Sequence, residues 1–248
     1  MNKIEGFLFI NKPKGANSFR CVAQIRRVLG QKKLKVGYAG TLDPFAHGLM
    51  IIGIGRKATR LLHHITKWDK QYIATAKLGE LTDTLDPTGT IIATNTITVS
   101  KYDLHQTIAN FPKTYEQTPP IYCALKHKGV PLYKLARHKG KTEQDLQEVL
   151  HKKSRTVHLH SIELLNAQKP FFTIQTHVSH GTYIRTLVND IARIHKSCAT
   201  THELQRTAIG KIPLSDAIEL DPIQTPEIIE TNLVPVELFL ERHFEQNH

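Results

Sequence analysis

Cysteine is scarce in this chain. Only Cys21, Cys123 and Cys198 occur in 248 residues, far apart and with no CxxC pair. So few thiols exclude a disulfide framework and point to a reducing compartment. Long hydrophobic runs are also missing. The longest, Leu49–Ile54, is too short to span a bilayer. Met1–Gly6 carries Lys3 and Glu5 where a signal peptide has its apolar stretch. The default location is therefore the cytoplasm, with no membrane partner. No GxxxxGK[ST] loop occurs, and no GxGxxG follows a strand, so nothing supports a nucleotide-driven reaction. His177-x-x-His180 and Cys198-x₃-His202 fit no dedicated zinc spacing, and no metal site is expected. Repeats and low-complexity segments are lacking as well.

Acid is in short supply relative to base. There are 33 Lys and Arg against 22 Asp and Glu, a formal net charge of +11. Such an excess favours a polyanionic partner, because each phosphate neutralised releases counterions. An apolar fraction of 40% and a length of 248 residues suit a folded domain with a substantial core.

The pattern along the chain mixes strands and helices without a βαβ rhythm, which predicts an α+β fold. Phe7–Ile10 reads as a strand. Ser18 reads as the N-cap of a helix whose core side carries Phe19, Val22, Ile25 and Leu29, with Gly30 as its C-cap. That helix and its exit are basic, through Arg20, Arg26, Arg27, Lys32, Lys33 and Lys35. Val36–Gly48 reads as a glycine-rich loop and Leu49–Gly53 as a buried strand. Lys57–Ile65 reads as a helix, and Gln71–Leu78 and Thr90–Val99 as strands. A helix follows around Tyr102–Asn110. Thr118–Lys141 is a basic, proline-containing excursion with a short helix near Tyr133–Arg137. Further on come a helix over Glu143–His151 capped by Thr142, and strands over Thr156–Leu165 and Phe171–Val178. Last is an amphipathic helix capped by Thr182, with Ile184, Leu187, Val188, Ile191 and Ile194 on one face.

The most unusual segment is VGYAGTLDPFAHGL, Val36–Leu49. Its three glycines permit positive φ and close backbone approach, and the apolar strand behind it anchors the loop. Such a loop holds the Asp43 carboxylate near a ligand at low conformational cost. An Asp-Pro pair alone is more often a plain turn. The chain supplies a control, because Thr84–Pro87 repeats the same TLDP tetrapeptide among Glu80, Asp83 and Asp86. Crowded carboxylates raise one another's pKa and repel phosphate, so Asp86 suits loop structure better than catalysis. Arg185, in the first turn of the Thr182 helix, is a candidate ion-pair partner for Asp43. Tyr72 opens a strand on which its ring can lie under a flat base, or fill the core.

Six segments, in order, resemble the TruB-type tRNA pseudouridine synthases. They are Asn11–Gly15 with Ser18-Phe19; GYAGTLDPFAHGLM; Gln71-Tyr72 with KLGELTDTLDPTG; QTPPIYCALKHKGVPLYKLAR; HGTYIRTLVNDI; and HELQRTAIGKIPLSDA. Together they span roughly residues 7–217. The resemblance implies a pseudouridine synthase fold, a mixed and mostly antiparallel sheet with flanking helices and an RNA-binding cleft. It also implies a catalytic domain over 1–220, an RNA-gripping thumb over about 112–152 and a short tail over 221–248. The implied substrate is the T-arm stem-loop of tRNA, with the T-loop uridine, U55, as target. No cofactor, obligatory protein partner or higher oligomer than a monomer is called for.

Carried over residue by residue, the resemblance puts the catalytic aspartate on Asp43, the tyrosine on Tyr72 and the arginine on Arg185. Tyr183, Leu204 and Arg206 stand in the later motifs; Lys12 and Pro13 in the first; Tyr38, Gly40 and Thr41 in the second; Lys126 and Arg137 in the thumb. Three departures stand out. Tyr38 replaces the family's usual RNA-contacting His, so RNA contact survives but imidazole chemistry does not. Cys123 replaces a usual Ser. The tail is too short for the PUA-type RNA-binding domain of many members, which shifts RNA binding onto the Arg20–Lys35 region and the Lys126–Lys141 excursion. A non-catalytic RNA binder on the same fold is the main rival. It has no need of the Asp43, Tyr72, Arg185 set. A guide-RNA-dependent synthase is the second rival, and a scaffold module the third.

Overall fold

A computed structural model describes residues 4–31, 33–137 and 148–244. The chain forms two compact units, residues 1–72 with 205–248, and residues 73–204.

The first unit is built on two strands that are apolar at nearly every position, β1 (Gly6–Lys12) and β3 (His47–Ile54). They pair antiparallel from Gly6↔Ile54 to Lys12↔Gly48. Continuous apolar runs of this kind need cover on both faces, and the side chains alternate accordingly. Leu8, Ile10, Met50, Ile52 and Ile54 face helix α1 (Ser18–Leu29) through Cys21, Val22 and Ile25. Phe7, Phe9, Leu49 and Ile51 face α2 (Arg56–Ile65) through Ala58, Leu62 and Ile65. The far edge of β3 is shared. Strand β2 (Val36–Ala39) pairs antiparallel with Ile51–Ile54. Then β12 (Ala199–Ile209) takes over in parallel at His47 and Gly48, through Gln205 and Arg206. The Gly40–Ala46 loop leaves the sheet at this handover.

Strand β4 (Lys70–Leu78) ends the first stretch of this unit. After β12 come β13 (Ile212–Pro213), β14 (Ile218–Glu219), α6 (Pro226–Asn232), β15 (Val234–Pro235) and α7 (Val236–His243). Leu220, Ile223 and Ile229 join the α1 core, and Val236 and Phe239 the α2 core. The Phe239 ring stacks on Phe7 with centroids 3.9 Å apart. Burying one such side chain stabilises by roughly 1.5–3 kcal/mol.

In the second unit, β4 is followed in the sheet by β11 (Phe171–Val178), β10 (Arg155–Gln168) and β7 (Thr114–Gln117), with β10 antiparallel to both neighbours. Strands β5 (Glu80–Thr82) and β6 (Ile91–Thr94) form a separate hairpin. Helix α3 (Lys101–Ala109) buries Leu104 and Ile108, and α5 (Ile184–Ile194) buries Ile184, Leu187, Val188 and Ile191. The thumb segment holds a tiny hairpin, β8 (Lys126–His127) and β9 (Val130–Pro131), then α4 (Leu132–Arg137); residues 148–151 are helical. Much of the helix foreseen over Glu143–His151, with its Thr142 cap, lies outside the described residues. The α+β class and the mixed, mostly antiparallel pairing are as foreseen. Among the pairings described, β1–β14 and β3–β12 are parallel.

Several local expectations need correction. Asn17, not Ser18, caps α1, its side chain accepting from the Arg20 N–H at 2.8 Å. Phe19 is 67% exposed rather than in the core, because Ser18, Cys21, Val22, Ile25 and Leu29 already fill the buried face. Thr182 does not cap α5. Its hydroxyl donates to Ser179 O, and Tyr183 stands at the cap position. Ile194 is 57% exposed at the end of that helix. The glycine-rich segment opens as a strand, β2, rather than as a loop. The strand foreseen over Thr90–Val99 covers only Ile91–Thr94.

Candidate active site

The Asp43 loop is bound to its own unit at several points. The Ser18 hydroxyl, spared from capping, accepts from the Leu42 N–H at 3.1 Å and donates to the Leu42 carbonyl at 3.0 Å. Both residues are buried, so the pair is shielded from water. The Gly15 N–H donates to Pro44 O at 2.7 Å, and the Ala46 N–H to Asp43 O at 3.2 Å. Lys12, fully buried at the end of β1, donates from Nζ to Ala16 O at 2.6 Å, Pro13 O at 3.0 Å and Pro44 O at 3.5 Å. Leu42, Phe45 and Ala46 turn inward, while Asp43 is half-buried. The carboxylate is thus held at the surface by a backbone pinned on both sides.

Glycine is required at two positions of this construction. Gly40 has φ 69°, which side-chain-bearing residues rarely adopt. Gly48 has φ 115°, and a Cβ there would stand 2.3 Å from Arg206 O and 2.7 Å from Arg206 N. The parallel junction with β12 therefore exists only because residue 48 has no side chain.

The floor of the loop is cationic. Arg206, 1% exposed, donates from Nε to Leu49 O at 2.8 Å and from Nη2 to Gly40 O at 3.1 Å. Buried Lys70 lies beside it and donates to Thr66 O at 2.6 Å and to Trp68 O. A Cβ on Gly40 would be 3.6 Å from Arg206 Nη1 and 3.7 Å from Lys70 Cε. Burial pulls the Lys70 ammonium down to about 8, and Arg206 pushes the same way against the opposing pull of Asp69. Burial also brings Lys12 to about 8, opposed by Cys21 and Asp43 and helped by Arg206. Three buried cations around one glycine-rich loop suit a polyanionic substrate. Tyr38 reaches Thr41 across the loop's mouth, hydroxyl to hydroxyl at 3.5 Å. Tyr72 is buried on β4, on the face it shares with Ala74 and Ala76.

Arg185, Tyr183, Leu204, Lys126 and Arg137 belong to the second unit. Arg185 is 3% exposed and faces Asp86, with Nη1 to Oδ2 at 3.6 Å. It also donates to Thr84 O and, at 2.9 Å, to Tyr122 O. The other Asp86 oxygen accepts from the Thr84 hydroxyl at 2.9 Å, the Thr88 N–H at 2.9 Å and the Thr88 hydroxyl at 2.5 Å. The second TLDP is therefore a closed turn with an internally satisfied carboxylate. Tyr183 lies under the Arg155 guanidinium, 5.2 Å from its ring centroid, and packs against the Cys123, Leu132, Leu150 cluster. Burial pushes the Tyr183 phenol up, and hydrogen bonding with Cys123 adds to this. Cys123 is buried in that cluster beside Tyr183. Lys126 is exposed on the thumb hairpin, whose Lys128-Gly129 turn has φ 48° and 83°, and Arg137 is the last residue of α4. Buried Leu204 lies on β12.

Sequence reasoning missed two residues here. The clasp made by Ser18 was hidden because serine before an apolar run is also a cap signal. Lys70 gives no signal, since a lysine in a strand reads as solvent-facing.

The profile of the TruB family pseudouridylate synthase N-terminal domain matches residues 26–184. A tRNA pseudouridine synthase B from Opitutus terrae is 38% identical over 238 residues, covering 94% of this chain and 94% of that protein. Its namesake from Desulfotalea psychrophila is 39% identical over 219 residues, covering 86% and 85%. A chain in the crystal structure of a Cbf5-Nop10-Gar1 complex matches with a TM-score of 0.68 at 23% identity. That match covers 95% of this chain and 61% of the other, and establishes likeness of fold. On the family profile and these relatives, the chain belongs to the TruB family of pseudouridylate synthases.

Proposed function

We propose that the chain isomerises uridine to pseudouridine in tRNA, at the T-loop uridine U55, with Asp43 as the nucleophile. The observation that carries this reading is the Asp43 loop: one carboxylate at the surface, pinned through Leu42 and Pro44, over Lys12, Lys70 and Arg206. The names of the curated relatives support tRNA as the substrate.

The rearrangement breaks the N1–C1′ bond of uridine and forms a C5–C1′ bond. The C5 proton is lost, N1 gains one, and no electron donor or acceptor is needed. The target base leaves its stack to reach the loop, as enzymes that act on bases require. Asp43 attacks at C6 or C1′, or stabilises a glycal; all three routes need an oriented carboxylate and share the same products. Tyr72, or water it orients, takes the C5 proton. Arg185 completes the catalytic set, and Tyr183 and Leu204 contact the substrate. Tyr38 and Thr41, with Gly40 and Pro13, form the RNA-facing side of the loop, and buried Lys12 and Arg206 support it from beneath and add positive potential. Lys126 and Arg137 on the thumb hold phosphates. The enzyme works without a guide RNA or protein partner.

Incubating the purified chain with a T-arm stem-loop transcript made with 5-tritiated uridine tests this directly. The reading predicts tritium release, with pseudouridine mapping to the T-loop uridine alone. Release from another uridine would refute the site, and none from any tRNA would refute the activity.

A further inference from the structure

The exposed Phe19 is not explained by the fold. It stands 67% exposed at the start of α1, one residue before Arg20, where a polar residue would cost the core nothing. Residues 6–42 contain no acid at all and carry eight cations: Lys12, Lys14, Arg20, Arg26, Arg27, Lys32, Lys33 and Lys35. Arg20 and Arg27 sit two helical turns apart on α1, about 10 Å along the axis, and both are exposed. Among the described residues, neither guanidinium is in an ion pair. They flank a groove of about 450 Å³ whose other walls include Pro13, Gly15, Gln24 and Asp221. Gln24 is fixed there by donating to Leu220 O at 3.1 Å.

We infer that the exposed side of α1 is a second contact for the substrate RNA, with phosphates held by Arg20 and Arg27 along the groove and a base stacked on Phe19 outside it, about a quarter-turn around the helix. An exposed aromatic ring and two exposed guanidiniums on the same helix are the chemistry that takes unstacked nucleotides: the ring accepts any base face, and the cations track the backbone. The proposal rests on the reading of tRNA as substrate and adds a binding surface to it. Asp221 is the one carboxylate lining the groove, and it opposes a phosphate there.

The test is binding of unmodified tRNA by the full chain over a range of salt, with turnover scored separately. Arg20→Ala/Arg27→Ala should weaken affinity about tenfold at 0.1 M salt. It should also flatten the slope of log affinity against log salt by about 1.4–1.8, as expected for two phosphate contacts. Phe19→Ala should weaken affinity at least about fivefold, with the slope kept. Asp221→Asn should tighten binding. All three changes lie at exposed positions, so unfolding midpoints should match the parent. Unchanged affinity and slope in the folded double variant would overturn the proposal, and unchanged affinity in Phe19→Ala would overturn the stacked base. If the parent binds tRNA yet turns none over, the catalytic reading fails while this one stands.

Discussion

Replacing Ser18 by Ala separates two roles that a serine at a helix start can have. As a mere cap it would contribute about 1 kcal/mol. In the structure Asn17 caps the helix, and Ser18 holds both polar groups of the Leu42 backbone at 3.0 and 3.1 Å. Leu42 is 3% exposed, so removing the hydroxyl strands a buried N–H and a buried C=O. Each stranded group costs about 1–3 kcal/mol, giving about 2–6 kcal/mol in all. For a chain of this size that is about 4–24 °C in melting temperature. Leu42 precedes Asp43, so the freed loop should also misplace the carboxylate, and kcat should fall at least about tenfold. The control is Asn17→Ala, which should cost about 1 kcal/mol, or about 2–4 °C, and leave kcat in place. Thermal unfolding and tritium release on the two variants decide the matter. If Ser18→Ala melts no lower than Asn17→Ala and keeps its kcat, the clasp is not what orders the loop.

Two further outcomes follow from the same geometry. Gly48→Ala should cost more than about 4 kcal/mol or abolish soluble expression, since the added methyl would meet the Arg206 backbone at 2.3 Å. Gly15→Ala, with φ 86° but nothing within 4 Å of the new Cβ, should cost only about 1–3 kcal/mol of backbone strain; urea unfolding midpoints give both, and equal losses would contradict the close approach at Gly48. Neutralising Lys126, Lys128 and Arg137 together should weaken tRNA binding and flatten its salt slope by about 2–3. An unchanged slope would take the thumb out of the interface.

Much of the fold is legible where one physical signal dominates. The apolar runs of β1 and β3 and the alternation in β4 and β11 announce strands. Gly30 closes α1 as foreseen, with φ 62° and its N–H on Arg26 O and Arg27 O. Legibility fails where a residue type has two uses. Phe19 fits the helical period, yet the buried face is filled without it. Thr182 looks like a cap and instead closes a turn onto Ser179. β12 is hidden because ATTHELQRTAI is largely polar, and its place in the core depends on Arg206 finding carbonyl partners on Leu49 and Gly40. The site shows the same division. The duplicated TLDP points to Asp86 as a structural residue, and its three hydrogen bonds agree. That Arg185 is its ion-pair partner is a tertiary fact with no trace in either segment.

The central claim concerns one carboxylate, and the most direct test compares the two TLDP aspartates. Asp43→Asn should retain tRNA binding and fold normally while releasing no tritium from 5-tritiated uridine in a T-arm stem-loop. Asp86→Asn should do the opposite: it places an amide before the buried Arg185, lowers the melting temperature, and keeps measurable release per folded molecule. Retained turnover in Asp43→Asn would contradict the account.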